Sequence, residues 1–204
     1  FFLVQSRYSA AIKEIQTKLE ILDDEFQMRH RRNPIHHMQS RLKTIQSMLE
    51  KLKRKNYEVS INSAVKNLQD IAGIRVICSY VQDVYTIANL LVSQDDVHLV
   101  RMADYIREPK PNGYRSLHLI VEIPVFLSEG RILVPVEVQI RTIAMDFWAS
   151  LEHSLRYKAQ EYIPQHISDE LQRVATDIAS LDQRMQAIHD QVDELSDAHG
   201  DNAT

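Results

Sequence analysis

Basic and hydroxyl side chains recur at helical spacing in the first third of the sequence. Lys43, Ser47, Lys51 and Arg54 are separated by four, four and three residues. On a helix this spacing places them along one stripe, since residues three and four apart are surface neighbours. At a rise of ~1.5 Å per residue the stripe spans about 15 Å, which suits a polyphosphate. A solvated charged face is one alternative, and a nucleic-acid backbone is another anion that such a stripe attracts.

Two carboxylates lie on segments that read as strands. Along the predicted strand 132–140, apolar residues alternate with Glu137, Gln139 and Arg141, so these polar side chains share one face. Asp70 stands at the start of a second strand, which is rich in β-branched residues. If the two strands are neighbours, Asp70 and Glu137 can share a magnesium ion or activate a hydroxyl group. A surface salt bridge is the alternative for either acid alone, and periodicity does not establish that the strands are adjacent.

A loop over residues 104–116 contains an aromatic side chain between cations. Its breakers are two prolines and a glycine, and Tyr114 lies between Lys110 and Arg115, with His118 following. Tyr114 would stack on a base while the cations meet phosphates. A turn with a packed tyrosine is the alternative.

The composition excludes several classes of protein. The chain has 204 residues, 44% hydrophobic and 25% charged, which is typical of a globular domain. With only four glycines, no Walker loop or G-x-G-x-x-G motif can be assembled, so cationic side chains must hold any phosphates. The single cysteine, Cys78, excludes an internal disulfide and favours a reducing, cytoplasmic setting. No apolar run approaches the ~20 residues that span a bilayer.

Charge is distributed unevenly along the chain. Residues 29–55 hold nine Lys or Arg against one acid, whereas residues 160–204 hold two against ten acids. This split predicts a basic site for an anionic ligand and an acidic, solvated appendage.

Periodicity predicts the elements that must position these residues. A helix is expected over residues 4–26, with an apolar stripe at Ile12, Ile15, Leu19, Leu22 and Phe26, and a second helix from Pro34 to about Lys55. Strands are then expected over residues 70–80, 97–101, 117–123 and 132–140. Further helices are expected over residues 83–93 and from about Thr142.

The last segment has the most regular apolar pattern. Nine positions step by four and three residues: Ile167, Leu171, Val174, Ile178, Leu181, Met185, Ile188, Val192 and Leu195. This pattern predicts a long helix that either packs on its own domain or pairs with another subunit, and its regularity favours pairing. The stripe of the first helix is the expected partner in such a closed oligomer.

Four segments resemble the synthetase domain of the RelA/SpoT homologues, and the short flanks resemble a single-domain small alarmone synthetase. They are Asp70-Ile-Ala-Gly-Ile-Arg-Val, Asp104-Tyr-Ile-x-x-Pro-Lys-x-Asn-Gly-Tyr-Arg-Ser-Leu-His, Val136-Glu-Val-Gln-Ile-Arg-Thr and Ala144-Met-Asp-Phe-Trp-Ala-Ser-Leu-Glu-His. The resemblance covers about residues 33–160. It implies an α+β fold, with a nucleotidyltransferase-like mixed β-sheet flanked by helices and long N- and C-terminal helices.

The resemblance also implies an activity: transfer of the β,γ-pyrophosphate of ATP to the 3′-hydroxyl of GDP or GTP, with Mg²⁺. Asp70 and Glu137 would bind the metal, and Glu137 would take the hydroxyl proton. The implied ATP contacts are Arg41 and Arg75 on adenine, with Lys43, Ser47, Lys51 and Arg54 on phosphates. The implied guanosine contacts are Tyr114 by stacking, with Lys110, His118 and Gln139.

Further expectations concern organisation and regulation. Residues 1–32 are expected to form an oligomerisation helix, 33–160 the synthetase domain, and 161–204 the heptad helix with its acidic tail, in a cytoplasmic homotetramer. RNA binding is compatible with the basic segment but is not expected to be essential. The residues before the basic segment are too few for a metal-dependent hydrolase domain, so no alarmone hydrolysis is expected.

Four positions depart from the pattern of some family members. Ala103 replaces a basic residue that precedes the Asp-Tyr-Ile motif, which removes one acceptor-phosphate contact. His37, Gln39 and Asp146 stand where members activated by pppGpp carry other residues, so the unactivated branch is favoured. A nucleic-acid-binding module without catalysis, and an enzyme that transfers a nucleotidyl group instead of pyrophosphate, are the competing hypotheses.

Overall fold

The computed structural model of the protein describes residues 2–159 and 163–200. The elements in chain order are α1 (Phe2–His30), β1 (Ile35–Leu42), α2 (Ile45–Arg54), α3 (Ile61–Asn67), β2 (Ala72–Cys78), α4 (Val81–Val92), β3 (His98–Asp104), β4 (Leu117–Leu127), β5 (Gly130–Thr142), α5 (Ile143–Lys158) and α6 (Gln165–Gly200). The predicted boundary after residue 160 and the end of the acidic tail, residues 201–204, lie outside the described residues.

The five strands form one mixed sheet in the order β1-β2-β5-β4-β3. Strands β2 and β5 are parallel neighbours, and the other pairs are antiparallel. The parallel register sets Gly73 opposite Glu137 and Arg75 opposite Gln139. The expected α+β fold, with a mixed sheet between helices and a long helix at each end, is confirmed.

The first half of the expected second helix is a strand instead. Residues 35–42 form β1, which pairs antiparallel with β2, and only residues 45–54 form the helix α2. A register shift between Ile35 and His37 interrupts the two-residue alternation of this strand. Its core-facing residues Ile35, Met38 and Leu42 are therefore three and four residues apart, which is also the spacing of a helix. Lys43 therefore precedes α2, and the four-residue stripe does not lie on one helix.

Helix α1 packs its apolar stripe against the sheet of its own chain. Ile12, Ile15, Leu19 and Leu22 are buried, and α1 contacts β1, β2, β4, β5 and α4. The expectation that this stripe pairs with the heptad helix in an oligomer is therefore wrong, because the sheet already covers it. Sequence periodicity shows that a face is buried but not what buries it.

Helix α6 packs on its own domain through only part of its surface. Ala175 is buried beside Trp148 of α5, with Leu171 and Ile178 partly buried around them. The indole Nε1 of Trp148 donates a hydrogen bond to the carbonyl of Leu171 (2.9 Å). Most of the remaining apolar positions are exposed, and we refer to them as the exposed seam of α6: Ile167, Val174, Leu181, Met185, Ile188, Val192 and Leu195.

Among the described residues, no helix is both long enough and apolar enough to cross a membrane.

Candidate active site

A polar cavity of about 270 Å³ opens on the sheet where β1, β2 and β5 lie side by side. It brings together six of the residues predicted from the sequence: Arg41, Lys43, Asp70, Arg75, Glu137 and Gln139. The alternation of β5 explains this arrangement, since Val136, Val138 and Ile140 are buried in the core on the opposite face. The adjacency of β2 and β5, which the sequence left open, is what makes Asp70 and Glu137 part of one site.

Asp70 is held by two lysine side chains. Its Oδ2 accepts hydrogen bonds from the ammonium groups of Lys43 and Lys51, the latter at 2.5 Å. Burial opposes ionisation of this carboxyl, but the hydrogen bonds and charges of the two lysines outweigh it and hold the pKa of Asp70 below its usual range. Burial also lowers the pKa of Lys43, an effect that Asp70 partly offsets.

The other oxygen of Asp70 supplies a test of whether the site suits a cation. Asp70 Oδ1 is buried and has no hydrogen-bond partner within residues 2–159 and 163–200. Such an oxygen costs free energy unless a donor or a metal ion satisfies it. Glu137 lines the same cavity, where the charge of Asp70 opposes the lowering of its pKa. Two carboxylates facing one cavity are the oxygen donors that Mg²⁺ prefers, so these residues fit that ion.

Glu137 is positioned by its neighbours on the same sheet. Its Oε2 accepts a hydrogen bond from Gln139 Nε2 (3.0 Å), and its Oε1 lies 3.6 Å from Nδ1 of His118. Burial opposes ionisation, but the attraction of His118 and then the hydrogen bond from Gln139 prevail, so the pKa of Glu137 lies below its usual range. The carboxylate is therefore ionised at neutral pH and can accept a proton or a hydrogen bond.

The predicted loop forms an aromatic cluster beside Glu137. Tyr114 Oη lies 2.8 Å from His118 Nε2, and the rings of Tyr105, Tyr114 and His118 meet edge to face. The ammonium of Lys110 lies over both tyrosine rings, 4.6 and 4.9 Å from their centroids. Tyr105 was not among the predicted site residues, although it stands within the quoted loop motif.

Helices α5 and α6 brace this loop. Asn112 Oδ1 accepts a hydrogen bond from the amide of Tyr114, while its Nδ2 donates to Glu152 of α5. Gly113 has φ +89°, and a Cβ added there would lie 2.5 Å from Cβ of Ala175 on α6. Glycine is required here both by the backbone conformation and by the close approach of the helix.

Arg75 and Arg141 are linked through Asp146 of α5. Asp146 Oδ1 lies 2.6 Å from Arg141 Nη2 and 3.8 Å from Arg75 Nη1. Arg141 follows the alternation of Glu137 and Gln139 along β5, but it is buried, and its charge is paired with Asp146 inside the protein. Arg75 lines the cavity, where burial and then the charge of Arg141 lower its pKa.

Two predicted phosphate ligands lie away from these contacts. The amide of Ser47 donates to Thr44 Oγ1 (3.2 Å) at the start of α2, and Arg54 is exposed in the last turn of that helix. Lys51, between them, reaches Asp70.

Comparison with known proteins identifies the family. A family model described as a region found in RelA/SpoT proteins matches residues 40–162. The chain belongs to the RelA/SpoT family. It is 45% identical over 186 residues to the GTP pyrophosphokinase YwaC of Bacillus subtilis, covering 91% of this chain and 89% of that protein.

Solved structures of family members have the same fold. Small alarmone synthetase 2 from Bacillus subtilis is 42% identical and matches with a TM-score of 0.85, covering 94% of this chain and 98% of that one. Small alarmone synthetase 1 from the same organism, bound to its product pppGpp, is 38% identical with a TM-score of 0.84, covering 94% and 96%. The RelA/SpoT resemblance stated from the sequence motifs is thereby confirmed.

Proposed function

We propose that this RelA/SpoT protein is a GTP pyrophosphokinase that transfers the β,γ-pyrophosphate of ATP to the 3′-hydroxyl of GDP or GTP, forming ppGpp or pppGpp and AMP. The observation that carries the proposal is that Asp70, just before β2, and Glu137, on the adjacent parallel strand β5, line one cavity with Arg41, Lys43 and Arg75. Two carboxylates and several cations in one cavity suit phosphoryl-type transfer, in which positioning and charge neutralisation provide most of the catalysis.

In this proposal the donor nucleotide lies along the cations of the cavity. Arg41 on β1 lies opposite Gly73 of β2, and Arg75 lies two residues farther along β2. Their planar guanidinium groups would stack on adenine. Lys43 and Lys51 contact the carboxylate that would hold the metal, so their charges meet the phosphates at that point. Ser47 and Arg54 would hold phosphates farther along α2.

Asp70 and Glu137 would hold Mg²⁺, which when bound would neutralise the negative charge on the transferred phosphates. Glu137 accepts the proton of the guanosine 3′-hydroxyl. The 3′-oxygen then forms a bond to the β-phosphorus of ATP, the bond from that phosphorus to the α,β-bridging oxygen breaks, and AMP leaves with that oxygen.

The acceptor nucleoside is assigned to the aromatic cluster. Tyr114 stacks on guanine, with Lys110, His118 and Gln139 nearby. Two contacts support this assignment: Tyr114 Oη lies 2.8 Å from His118 Nε2, and His118 Nδ1 lies 3.6 Å from Glu137 Oε1. They connect the ring that would stack on guanine to the carboxylate proposed as the general base.

The test is product analysis after incubation with ATP, GTP and Mg²⁺. AMP together with a more phosphorylated guanosine nucleotide, formed without added RNA, is the expected result. Released pyrophosphate would point instead to nucleotidyl transfer, and no turnover would favour a nucleic-acid-binding module.

The proposal includes a cytoplasmic homotetramer. The exposed seam of α6 and the exposed Phe147, Leu151 and Leu155 of α5 present apolar surface beyond what isolated exposed residues explain. Pairing these surfaces with a second copy would bury them, while acidic residues on the outer face of α6 keep the assembly in solution.

A further inference from the structure

A second cavity, which the proposed reaction does not use, lies between α1, α3 and the first residues of β5. Its volume is about 430 Å³, larger than that of the polar cavity at Asp70. Cavities of about 300–1,000 Å³ are typical of small-molecule sites. We refer to it as the α1–α3 cavity.

The lining of the α1–α3 cavity combines apolar walls with cations. Val4, Leu68, Ile132 and Leu133 are among its apolar lining residues, and Arg7 and Lys66 supply two positive charges against one acid, Glu122. An apolar wall with a small excess of positive charge suits a molecule with an apolar body and an anionic head.

Arg7 supplies the strongest sign of an absent partner. Its side chain lines the cavity and is 39% exposed. The nearest carboxylate to Arg7 is that of Glu129 at 3.9 Å, and 80% of that side chain is exposed. This long, solvent-screened contact leaves the Arg7 guanidinium able to donate charge-assisted hydrogen bonds to an anion in the cavity.

The cavity also adjoins the two segments that carry the acidic residues of the active site. Gln69 lines the cavity and immediately precedes Asp70, while Pro135 lines it two residues before Glu137. A ligand placed there contacts the backbone leading to both carboxylates. Since β2 and β5 are neighbours, a small change in their separation changes the distance between those carboxylates.

We propose that the α1–α3 cavity binds a small amphiphilic anion, a carboxylate or phosphate on a short apolar chain, and that occupancy lowers the synthetic rate by displacing Asp70 relative to Glu137. The second half of this proposal rests on the proposed function, and the first half does not.

Binding is tested with sodium octanoate and hexyl phosphate on the full chain, by calorimetry and thermal unfolding. We expect saturable binding of one or both probes and a rise in Tm of about 3–6 °C at ten times Kd. Arg7→Gln should weaken binding about 10- to 100-fold, since it removes a charge-assisted hydrogen bond. Lys13→Gln, which removes an exposed cation from the same helix, should leave binding unchanged.

Several results would overturn the binding proposal. They are equal affinity in the Arg7→Gln and Lys13→Gln variants, binding of 1-octanol as tight as octanoate, and a linear response without saturation. Octanoate and hexyl phosphate are both anions but differ in chain length, so hexanoate is compared with hexyl phosphate, and a preference between these two identifies the head group.

The coupling is tested by initial rates of AMP formation at a saturating concentration of the probe that binds. We expect at least a threefold decrease with the wild-type chain, and with Arg7→Gln the probe concentration that gives half of this decrease should rise about 10- to 100-fold, in step with its weaker binding. Binding without any change in rate would refute the coupling alone. A protein that binds the probe but makes no alarmone would refute the proposed function and leave the cavity assignment standing.

Discussion

Replacing Glu137 with glutamine removes the negative charge of the proposed base while keeping the volume of the side chain. In the wild-type chain Gln139 Nε2 donates a hydrogen bond to Glu137 Oε2 (3.0 Å). The carbonyl oxygen of the new amide can still accept this hydrogen bond. Its nitrogen would then face His118 Nδ1 and can donate to a neutral imidazole. The local contacts are thus nearly conserved, and we expect the free energy of unfolding to change by less than about 1.5 kcal/mol.

The effect on synthesis should be far larger. A positioned general base is worth about 10²–10⁴ in rate, which corresponds to about 2.7–5.5 kcal/mol in activation free energy. The amide cannot accept the 3′-hydroxyl proton, and without a negative charge it binds Mg²⁺ less well than a carboxylate. We expect kcat for AMP formation to fall by at least 10²-fold while ATP affinity changes little, because the cations of the cavity remain.

The assay is single-turnover AMP formation with labelled ATP, alongside ATP binding and thermal unfolding of the same samples. Glu14→Gln, which neutralises an exposed acid on α1, is the matched control and should retain wild-type kinetics. Retention of a third of wild-type activity by Glu137→Gln would refute the assignment of the base. A loss of ATP affinity equal to the loss of rate would show that the residue acts mainly in donor binding.

Three further predictions address the acceptor, the pH dependence and the assembly. Tyr114→Ala should weaken GTP binding by roughly 1–3 kcal/mol, measured as a higher KM for GTP, with the KM for ATP nearly unchanged. Tyr114→Phe should keep most of the affinity for GTP. A rise confined to the KM for ATP would reverse the substrate assignment. Since His118 helps to lower the pKa of Glu137, the ionised Glu137 stabilises the fold at neutral pH and this contribution is lost as the pH falls through the depressed pKa. In His118→Gln that pKa should rise, so the acidic limb of the kcat profile should move to higher pH; an unmoved limb would contradict this. Leu181→Glu with Met185→Glu, in the exposed seam of α6, should lower the molar mass measured by light scattering, and a monomeric wild type at tens of micromolar would refute the oligomer.

Point variants are preferred to truncation of the tail because α6 has two roles. The buried side of the helix packs on Trp148 and approaches Gly113 in the loop over residues 104–116. Removing the helix would expose this contact and disturb the proposed guanosine site as well as any subunit interface. Substitutions in the exposed seam change only the outer surface.

Local sequence patterns predicted most of the secondary structure and placed Glu137 and Gln139 on one strand face. The strand alternation around Glu137 and the breakers of the loop before His118 are local signals, and the structure bears both out. Local patterns failed at β1, because a shift in strand register near His37 imitates the spacing of a helix. Strand pairing with a distant segment decided the conformation there, and no local window contains that segment.

Tertiary structure alone decided which residues meet. Asp70 and Glu137 are far apart in sequence, and only the parallel pairing of β2 and β5 makes them neighbours. The burial of Ile15 on α1 has the same origin: apolar periodicity required a partner surface, and the sheet supplied it. Amphipathic spacing is a property of one segment, whereas the identity of its partner depends on contacts between segments, so the sequence could indicate a buried face but not what covers it.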